Sequence, residues 1–271
     1  MSQISESADS NGIHVLARAG YASRGIIYLI VGWLAALAAF GQGGRATGSR
    51  GALSELLGAP FGKLLLAAIA AGLFCYSAWR AVQAILDADG HGTDAKAIAI
   101  RGGLAVSAIV HTGLAFFATG LVFGWGTGGD TGDESSREWT AWLLSQPFGP
   151  WLVASVGAAI VGAGIAHFVK AWTAGFEKYF VMNEQERRYI SPISRFGLAA
   201  RGVAFLIIGG FFIIAAVRHD PNEARGLSGV LQTMLQQPFG APLLAVLSSG
   251  LMAFGIYSLL EAAYRRIAIR G

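Results

Sequence analysis

Six ionisable side chains lie close to the ends of long apolar runs, where lipid makes a charge costly to hold. They are Arg24, Arg80, His167, Lys170, Arg201 and Glu261. Aligning the even-numbered runs on a recurring Pro-Phe-Gly tripeptide places Gln83, Lys170 and Glu261 at one equivalent position. Arg80, His167 and Ser258 share a second position one turn earlier, so both layers lie on the same helix face. If that face points inward, the cluster attracts an anion or the headgroup of an anionic inner-leaflet lipid.

A simpler interpretation gives these residues no ligand. Long basic side chains near a helix end extend their charged groups into the headgroup layer. Lys170 or Arg80 would then pair with Glu261. Anion or lipid retention in Lys170→Ala and Glu261→Ala variants separates the two interpretations.

Two histidines form a second candidate site. His111 lies in the third apolar run and His167 in the fourth, so both belong to one predicted hairpin. Histidines on facing helices can ligate a haem iron from both sides, which makes haem b the alternative cofactor. The position of His111 carries Tyr28 and Phe205 in the other repeats, which favours a core position filled by rings. No other cofactor and no metal site is predicted.

The chain contains no familiar catalytic pattern. The motifs His-Glu-x-x-His and Gly-x-Ser-x-Gly do not occur. Residues 124–138 are rich in glycine and carboxylates but lack the spacing of an EF-hand loop. We therefore expect a protein that is not an enzyme.

The composition indicates that these residues lie in a membrane. Hydrophobic residues make up 54% of the 271 positions and charged residues 13%, against roughly 25% charged residues in a soluble domain. Six apolar runs approach the ~20 residues that span a bilayer. They cover residues 25–40, 63–86, 104–125, 151–172, 202–217 and 242–260. Runs one and five reach that length if their helices begin near Ala17 and Arg195, which predicts an all-α membrane protein with six transmembrane helices.

One unit occurs three times along the chain. Pro-Phe-Gly begins at Pro60, Pro147 and Pro238, and an arginine with a glycine two positions on, as at Arg18 and Gly20, precedes each odd run. Each unit is predicted to form a helix, an outer loop, a short amphipathic helix, a turn and a second helix. Two helices return the chain to the same side, so the repeats are parallel and a pseudo-threefold bundle is the expected packing. The units cover residues 17–90, 101–173 and 195–268.

The basic residues predict the orientation. Fourteen of the 20 lysines and arginines fall on the side of the two termini, and the positive-inside rule places that side in the cytoplasm. Residues 1–16 are predicted to form a disordered cytoplasmic tail. Residues 174–194 are predicted to form a basic cytoplasmic loop that could dock a partner. Topology thus explains the pI of about 9.4, and nucleic acid is not an expected partner.

The triple Pro-Phe-Gly and the opening segment 17–25, ARAGYASRG, resemble the bacterial membrane family catalogued as domain of unknown function 1206. The resemblance covers residues 17–267 and implies three two-helix units in a bacterial inner membrane. It implies no chemistry, so no active-site residue carries over. The second repeat departs from the pattern, because Arg24-Gly25 and Arg201-Gly202 correspond there to Ser107-Ala108. This departure indicates a diverged role.

Three classes of function stay open. The favoured class is a non-catalytic structural or interaction subunit that binds a membrane partner or an anionic lipid. The second is a small transporter or channel, which the repeats and intramembrane charges favour but the absence of an interrupted apolar run disfavours. The third is a haem- or quinone-binding redox subunit, which rests on His111 and His167 alone.

Overall fold

A computed structural model describes residues 2–125 and 132–267, with side chains from residue 12 onward. Nine α-helices occur in this part of the chain. They are α1 (Ser2–Ala39), α2 (Ser49–Leu57), α3 (Gly62–Leu86), α4 (Ala95–Phe123), α5 (Asp133–Leu144), α6 (Gly149–Trp172), α7 (Glu184–Arg218), α8 (Leu227–Leu235) and α9 (Gly240–Tyr264). Short 3₁₀ turns lie at Glu177–Tyr179 and Pro221–Glu223. The predicted all-α class is confirmed.

Helices α1, α3, α4, α6, α7 and α9 are long and apolar enough to cross a membrane. They follow the predicted order, with two spanning helices in each repeat and a short helix between them. We call the first span of each repeat its odd helix (α1, α4 and α7) and the second its even helix (α3, α6 and α9). The prediction of six membrane-spanning helices is confirmed at this level. We name the two ends of the bundle by their residues: the basic end carries Arg101 and Arg195, and the opposite end carries the three Pro-Phe-Gly turns.

Two arginines at the basic end cap the C-terminus of a helix in the preceding repeat. Arg101 donates from Nε to the carbonyl of Ala84 at 2.8 Å. Arg195 makes the equivalent bond to the carbonyl of Ala171, also at 2.8 Å. Both carbonyls lie in the last turn of an even helix, where no intrahelical donor is available. The recurring arginine therefore joins consecutive repeats.

The Pro-Phe-Gly tripeptide forms the turn before each even helix, which begins at the glycine. Phe61, Phe148 and Phe239 precede the helices with φ of 59°, 61° and 61°, in the left-handed region, and are 80–82% exposed. A Cβ atom on the following glycine would collide with a carbonyl oxygen of the preceding short helix. The glycine is therefore needed for close approach, and the proline lies in the turn, two residues before the helix begins.

Helices of successive repeats pack through small residues. The three seams are α3 with α4, α6 with α7, and α9 with α1. Equivalent positions meet in each: Ser77 with Ala108, Gly164 with Gly202, and Gly255 with Gly25. Small residues let helix backbones approach closely. The α9–α1 seam joins the last repeat to the first.

The seams within repeats are not all formed. In the first repeat a Cβ atom at Gly20 would lie 2.5 Å from Cα of Tyr76, and in the third Gly197 approaches the backbone of Phe254 as closely. Gly103 is the equivalent residue of the second repeat, and a Cβ atom there would meet nothing within 4 Å. Extensive packing joins α1 to α3 and α7 to α9, but not α4 to α6.

Side-chain exposure shows the same difference. Val106 and Val110 on α4 are 60% and 59% exposed. Their equivalents in the other repeats, Ser23, Ile27, Ala200 and Ala204, are 2–8% exposed. We call this opening the α4–α6 cleft, defined by Gly103, Val106 and Val110 on α4 and Gly162 on α6. The predicted pseudo-threefold packing is therefore incomplete on one side of the bundle.

Two predicted irregular segments are helical instead. Helix α1 extends back to Ser2, through the segment 1–16 that was predicted to be disordered. Ile13 and Leu16 in this segment pack against a buried cluster around Trp79, which explains the order of its last turn. Helix α7 begins inside the predicted loop 174–194, because Asn183 forms a capping box with Glu186.

Candidate functional site

A buried ion-pair network occupies the basic end between α1, α3 and α9. Arg24 forms an ion pair with Glu261, donates to the hydroxyl of Tyr76, and donates from Nε to Ser258 Oγ at 3.0 Å. Arg265 Nη1 donates to the second oxygen of Glu261 at 2.9 Å. Arg24 is 5% exposed and Glu261 is 1% exposed. One buried carboxylate therefore serves two arginines.

The network continues into α3 and the loop that follows it. Arg265 Nη2 contacts both carboxylate oxygens of Asp89 at 2.9 Å. Gln83 donates to Asp89 at 2.7 Å and accepts from Arg80 at 3.0 Å. Arg80 also donates to Tyr76 at 2.7 Å. The pairing of Lys170 or Arg80 with Glu261 that the sequence suggested is not the one formed, because two other arginines occupy the carboxylate.

Arg201 lies at the position of Arg24 in the third repeat but has different neighbours. Arg24 faces Ser258 and Glu261 on α9, whereas the equivalent residues on α6 are His167 and Lys170. Within the part of the chain that the structure describes, Arg201 Nε and Nη1 are buried without a hydrogen-bond partner. The substitution of a lysine for the glutamate removes the acid that would neutralise this arginine.

Aromatic rings surround the guanidinium of Arg201. Its Cζ lies 4.9 Å from the ring centre of Tyr28, 4.8 Å from Phe205 and 4.5 Å from Phe254. A cation–π contact contributes about 0.5–2 kcal/mol, whereas removing an ion from water costs several kcal/mol even after relaxation. The three rings offset some of that cost but supply no negative charge. Arg201 is therefore a cation with aromatic neighbours and no acidic partner among the described residues.

Lys170 and His167 line the same seam but point to other neighbours. Lys170 Nζ lies 5.8 Å from the ring centre of Tyr257. His167 donates from Nδ1 to the carbonyl of Ala163 at 2.8 Å, and its ring packs against Phe205 at 5.3 Å. These contacts leave Lys170 without an ion pair among the described residues.

The two histidines of the haem hypothesis face different seams. His111 donates to the carbonyl of Ser107 at 2.8 Å and packs on Tyr76, with ring centres 4.6 Å apart. His167 packs on α7 and α9 instead. The haem hypothesis stays a prediction, since these contacts describe the packing of each ring and not a shared ligand. Soret absorbance of the purified protein is the direct check of that hypothesis.

A cavity of about 270 Å³ lies between the three odd helices. Arg24, Tyr28, His111, Arg201 and Phe205 line its basic end. At the other end it is lined by residues that begin the short helices, Gly48, Ser49, Arg50, Gly132, Leu227 and Ser228. No Asp or Glu of residues 2–125 and 132–267 lines it. Helix N-termini carry a partial positive charge, so both ends of the cavity are electropositive.

Sequence reasoning found Arg24 and Arg201 but missed the cavity and Arg50. Burial lowers the pKa of the Arg50 guanidinium, with Glu138 opposing the shift, although an arginine stays protonated at neutral pH. One sequence feature could have indicated the cavity. Tyr28, His111 and Phe205 occupy the same position in the three repeats, and all three line the cavity.

A second concave surface lies at the basic end, on the segment predicted to dock a partner. Its lining includes Glu177, Glu184, Arg187, Arg188 and Arg195, around a space of about 740 Å³. Arg187 pairs with Glu177 at 2.9 Å and with Glu184 at 3.5 Å. These mutual ion pairs neutralise much of the surface, which is broad and shallow.

Comparisons with known proteins match the repeat structure. The model of a family described as Domain of Unknown Function (DUF1206) matches residues 19–87, 102–174 and 196–265. The "Uncharacterized protein YxxB" of Bacillus subtilis (strain 168) is 38% identical over 253 residues, covering 92% of this chain and 90% of the relative. No solved structure matches the chain.

Proposed function

Because the chain belongs to the DUF1206 family, whose description names no activity, we propose a function from its central cavity: binding of an anion at Arg201. The supporting observation is a guanidinium whose Nε and Nη1 are buried without a hydrogen-bond partner among the described residues, at a cavity that no Asp or Glu of those residues lines. An anion in the cavity gives Arg201 the compensation that Glu261 gives Arg24. The role is binding, without catalysis.

The low dielectric of the site makes this attraction strong. A unit charge pair 4 Å apart is worth about 1 kcal/mol in water and about 4 kcal/mol near a protein surface. Arg24 contributes less than Arg201, because its charge is already paired with Glu261. Arg50 and the N-termini of α2 and α8 add positive potential at the opposite end of the cavity.

The orientation of the protein follows from the same charges. We place it in the bacterial inner membrane with both termini in the cytoplasm, because the basic end carries most lysines and arginines. The cavity then extends from the outer short helices inward to Arg201. At its basic end the cavity reaches Arg24, whose guanidinium is paired with Glu261.

Binding of methyl phosphate to the purified protein tests the proposal. We expect methyl phosphate to raise the unfolding temperature of the wild type in dodecyl maltoside. A hydrogen bond to a charged group contributes about 1.5–3 kcal/mol, so Arg201→Gln should weaken binding by about 10- to 100-fold. Arg218→Gln removes the same charge from a side chain that is 65% exposed and should leave binding unchanged. Equal binding by all three proteins would refute the proposal.

A transport role is the second candidate, favoured by the extent of the cavity from Arg50 to Arg201. It requires the network around Glu261 to open. Anion flux into proteoliposomes measures it: flux that Arg201→Gln abolishes supports transport, and binding without flux supports a receptor or a structural role.

A further inference from the structure

The α4–α6 cleft opens the bundle to the surrounding bilayer on one side. A Cβ atom at Gly103 on α4 or at Gly162 on α6 would meet nothing within 4 Å. Exposed apolar residues border it, including Val106 and Val110. The corresponding faces in the first and third repeats are buried within the protein, so the cleft is specific to the second repeat.

The cleft and the central cavity share one lining residue, Val110. Val110 is 59% exposed in the cleft and also lines the cavity next to His111. Ser107 on α4 is the positional equivalent of Arg24 and Arg201, so the cleft runs past the level of the unpaired guanidinium. A molecule that lies in the cleft can therefore place one end beside Arg201.

We propose that the anion bound at Arg201 is the headgroup of an amphiphile that enters from the bilayer, with its acyl chain in the α4–α6 cleft. This inference rests on the proposed anion binding and names the class of ligand. The two halves of the site have complementary chemistry: the cleft is lined by valine and glycine, and the cavity holds a cation without an acid. An apolar protein helix would fill the cleft but leave Arg201 uncompensated.

The glycines give the cleft a second property. In the α1–α3 and α7–α9 seams, Gly20 and Gly197 allow direct backbone contact with α3 and α9. The second repeat keeps the glycine as Gly103 and has Ala163 where the others have Tyr76 and Phe254. These small residues leave room for an acyl chain between α4 and α6. They also permit the two helices to approach each other more closely when no acyl chain is bound.

Two probes with the same headgroup test the inference. Hexadecyl phosphate carries the acyl-like chain and methyl phosphate does not, and the thermal shift in dodecyl maltoside reports binding of each. We expect wild-type protein to bind hexadecyl phosphate at least tenfold more tightly. Val106→Trp fills the cleft without lining the cavity, and should weaken hexadecyl phosphate binding at least tenfold while methyl phosphate binding stays the same. Ile109→Trp, on a neighbouring side chain that is 72% exposed, should change neither.

A cysteine assay gives the same information without a bulky substitution. In a Cys75→Ser background, Val106→Cys should react with a maleimide at least threefold more slowly when hexadecyl phosphate is present. Methyl phosphate should give no protection, and neither probe should protect Ile109→Cys. Absence of protection at position 106 together with unchanged binding in Val106→Trp would overturn the inference. Failure of methyl phosphate to bind the wild type would instead count against the proposed function.

Discussion

At the scale of single residues, Arg24 and Arg201 show how one substitution in a neighbouring repeat changes the state of an arginine. Both occupy the same position of an odd helix, and both are surrounded by aromatic rings. Glu261 neutralises Arg24, whereas the equivalent position on α6, the helix that packs against α7, carries Lys170. Removing one partner of a buried ion pair leaves the other charge uncompensated and destabilises the protein. Removing a buried charge that has no partner eliminates its desolvation cost.

Neutralising the two sites should therefore have opposite effects on stability. Glu261→Gln leaves Arg24 and Arg265 without their carboxylate and should destabilise the protein by about 3–5 kcal/mol. Arg201→Gln removes an unpaired buried charge and should be neutral or stabilising. Thermal unfolding in detergent, at low anion concentration, measures both. Similar destabilisation by the two substitutions would show that Arg201 has a compensating partner.

Reversing the charge of Lys170 on α6 should give Arg201 an acidic partner within the protein. Lys170→Glu reproduces the arrangement that Glu261 gives the α9–α1 seam. We expect a higher unfolding temperature and at least tenfold weaker methyl phosphate binding, because the new carboxylate competes with the ligand for the guanidinium. Lys178→Glu makes the same change of charge at an exposed loop position and controls for net charge. Unchanged phosphate affinity in Lys170→Glu would contradict the assigned geometry.

At the scale of helices, the contribution of a glycine to packing depends on whether another helix backbone lies against it. Gly20 and Gly197 lie against the backbones of Tyr76 and Phe254, whereas Gly103 faces open space. The sequence shows a glycine at all three positions, so it predicts the repeat but cannot distinguish a packed seam from an open one. It also predicted the six spans and the equivalence of Lys170 and Glu261, since both follow from spacing. The partners of Arg24 could not be predicted, because they come from residues more than 50 positions away.

Alanine at the three glycines measures this difference directly. Gly20→Ala and Gly197→Ala force the packed helices apart, and overpacking of this kind costs about 1–3 kcal/mol. Gly103→Ala adds a methyl group in open space and gains up to about 1 kcal/mol of helix propensity. The expected order of unfolding temperatures is therefore Gly103→Ala highest and the other two variants lowest. A loss at Gly103 as large as at Gly20 would show that the α4–α6 cleft is closed in solution.

At the scale of the whole molecule, the first and third repeats are joined more firmly than the second. The buried network around Glu261 links α1, α3 and α9, which come from these two repeats. The second repeat joins them through the α3–α4 and α6–α7 seams, and its own two helices stay apart. This arrangement leaves an opening between α4 and α6, at the place where ligand entry is proposed.

The orientation of the bundle decides which leaflet and which aqueous phase reach the cavity. Helix α1 begins and helix α9 ends at the basic end, which we propose lies in the cytoplasm, so a fluorescent protein that folds only there should fluoresce when fused to either terminus. Alkaline phosphatase inserted after Gly43, in the segment between α1 and α2, should be active only if that end is outside. Because an even number of spans returns the chain to its starting side, opposite locations for the two termini would refute the six-span topology. The reverse orientation, with both termini outside, would keep the fold but place the electropositive end of the cavity at Arg50 in the cytoplasm.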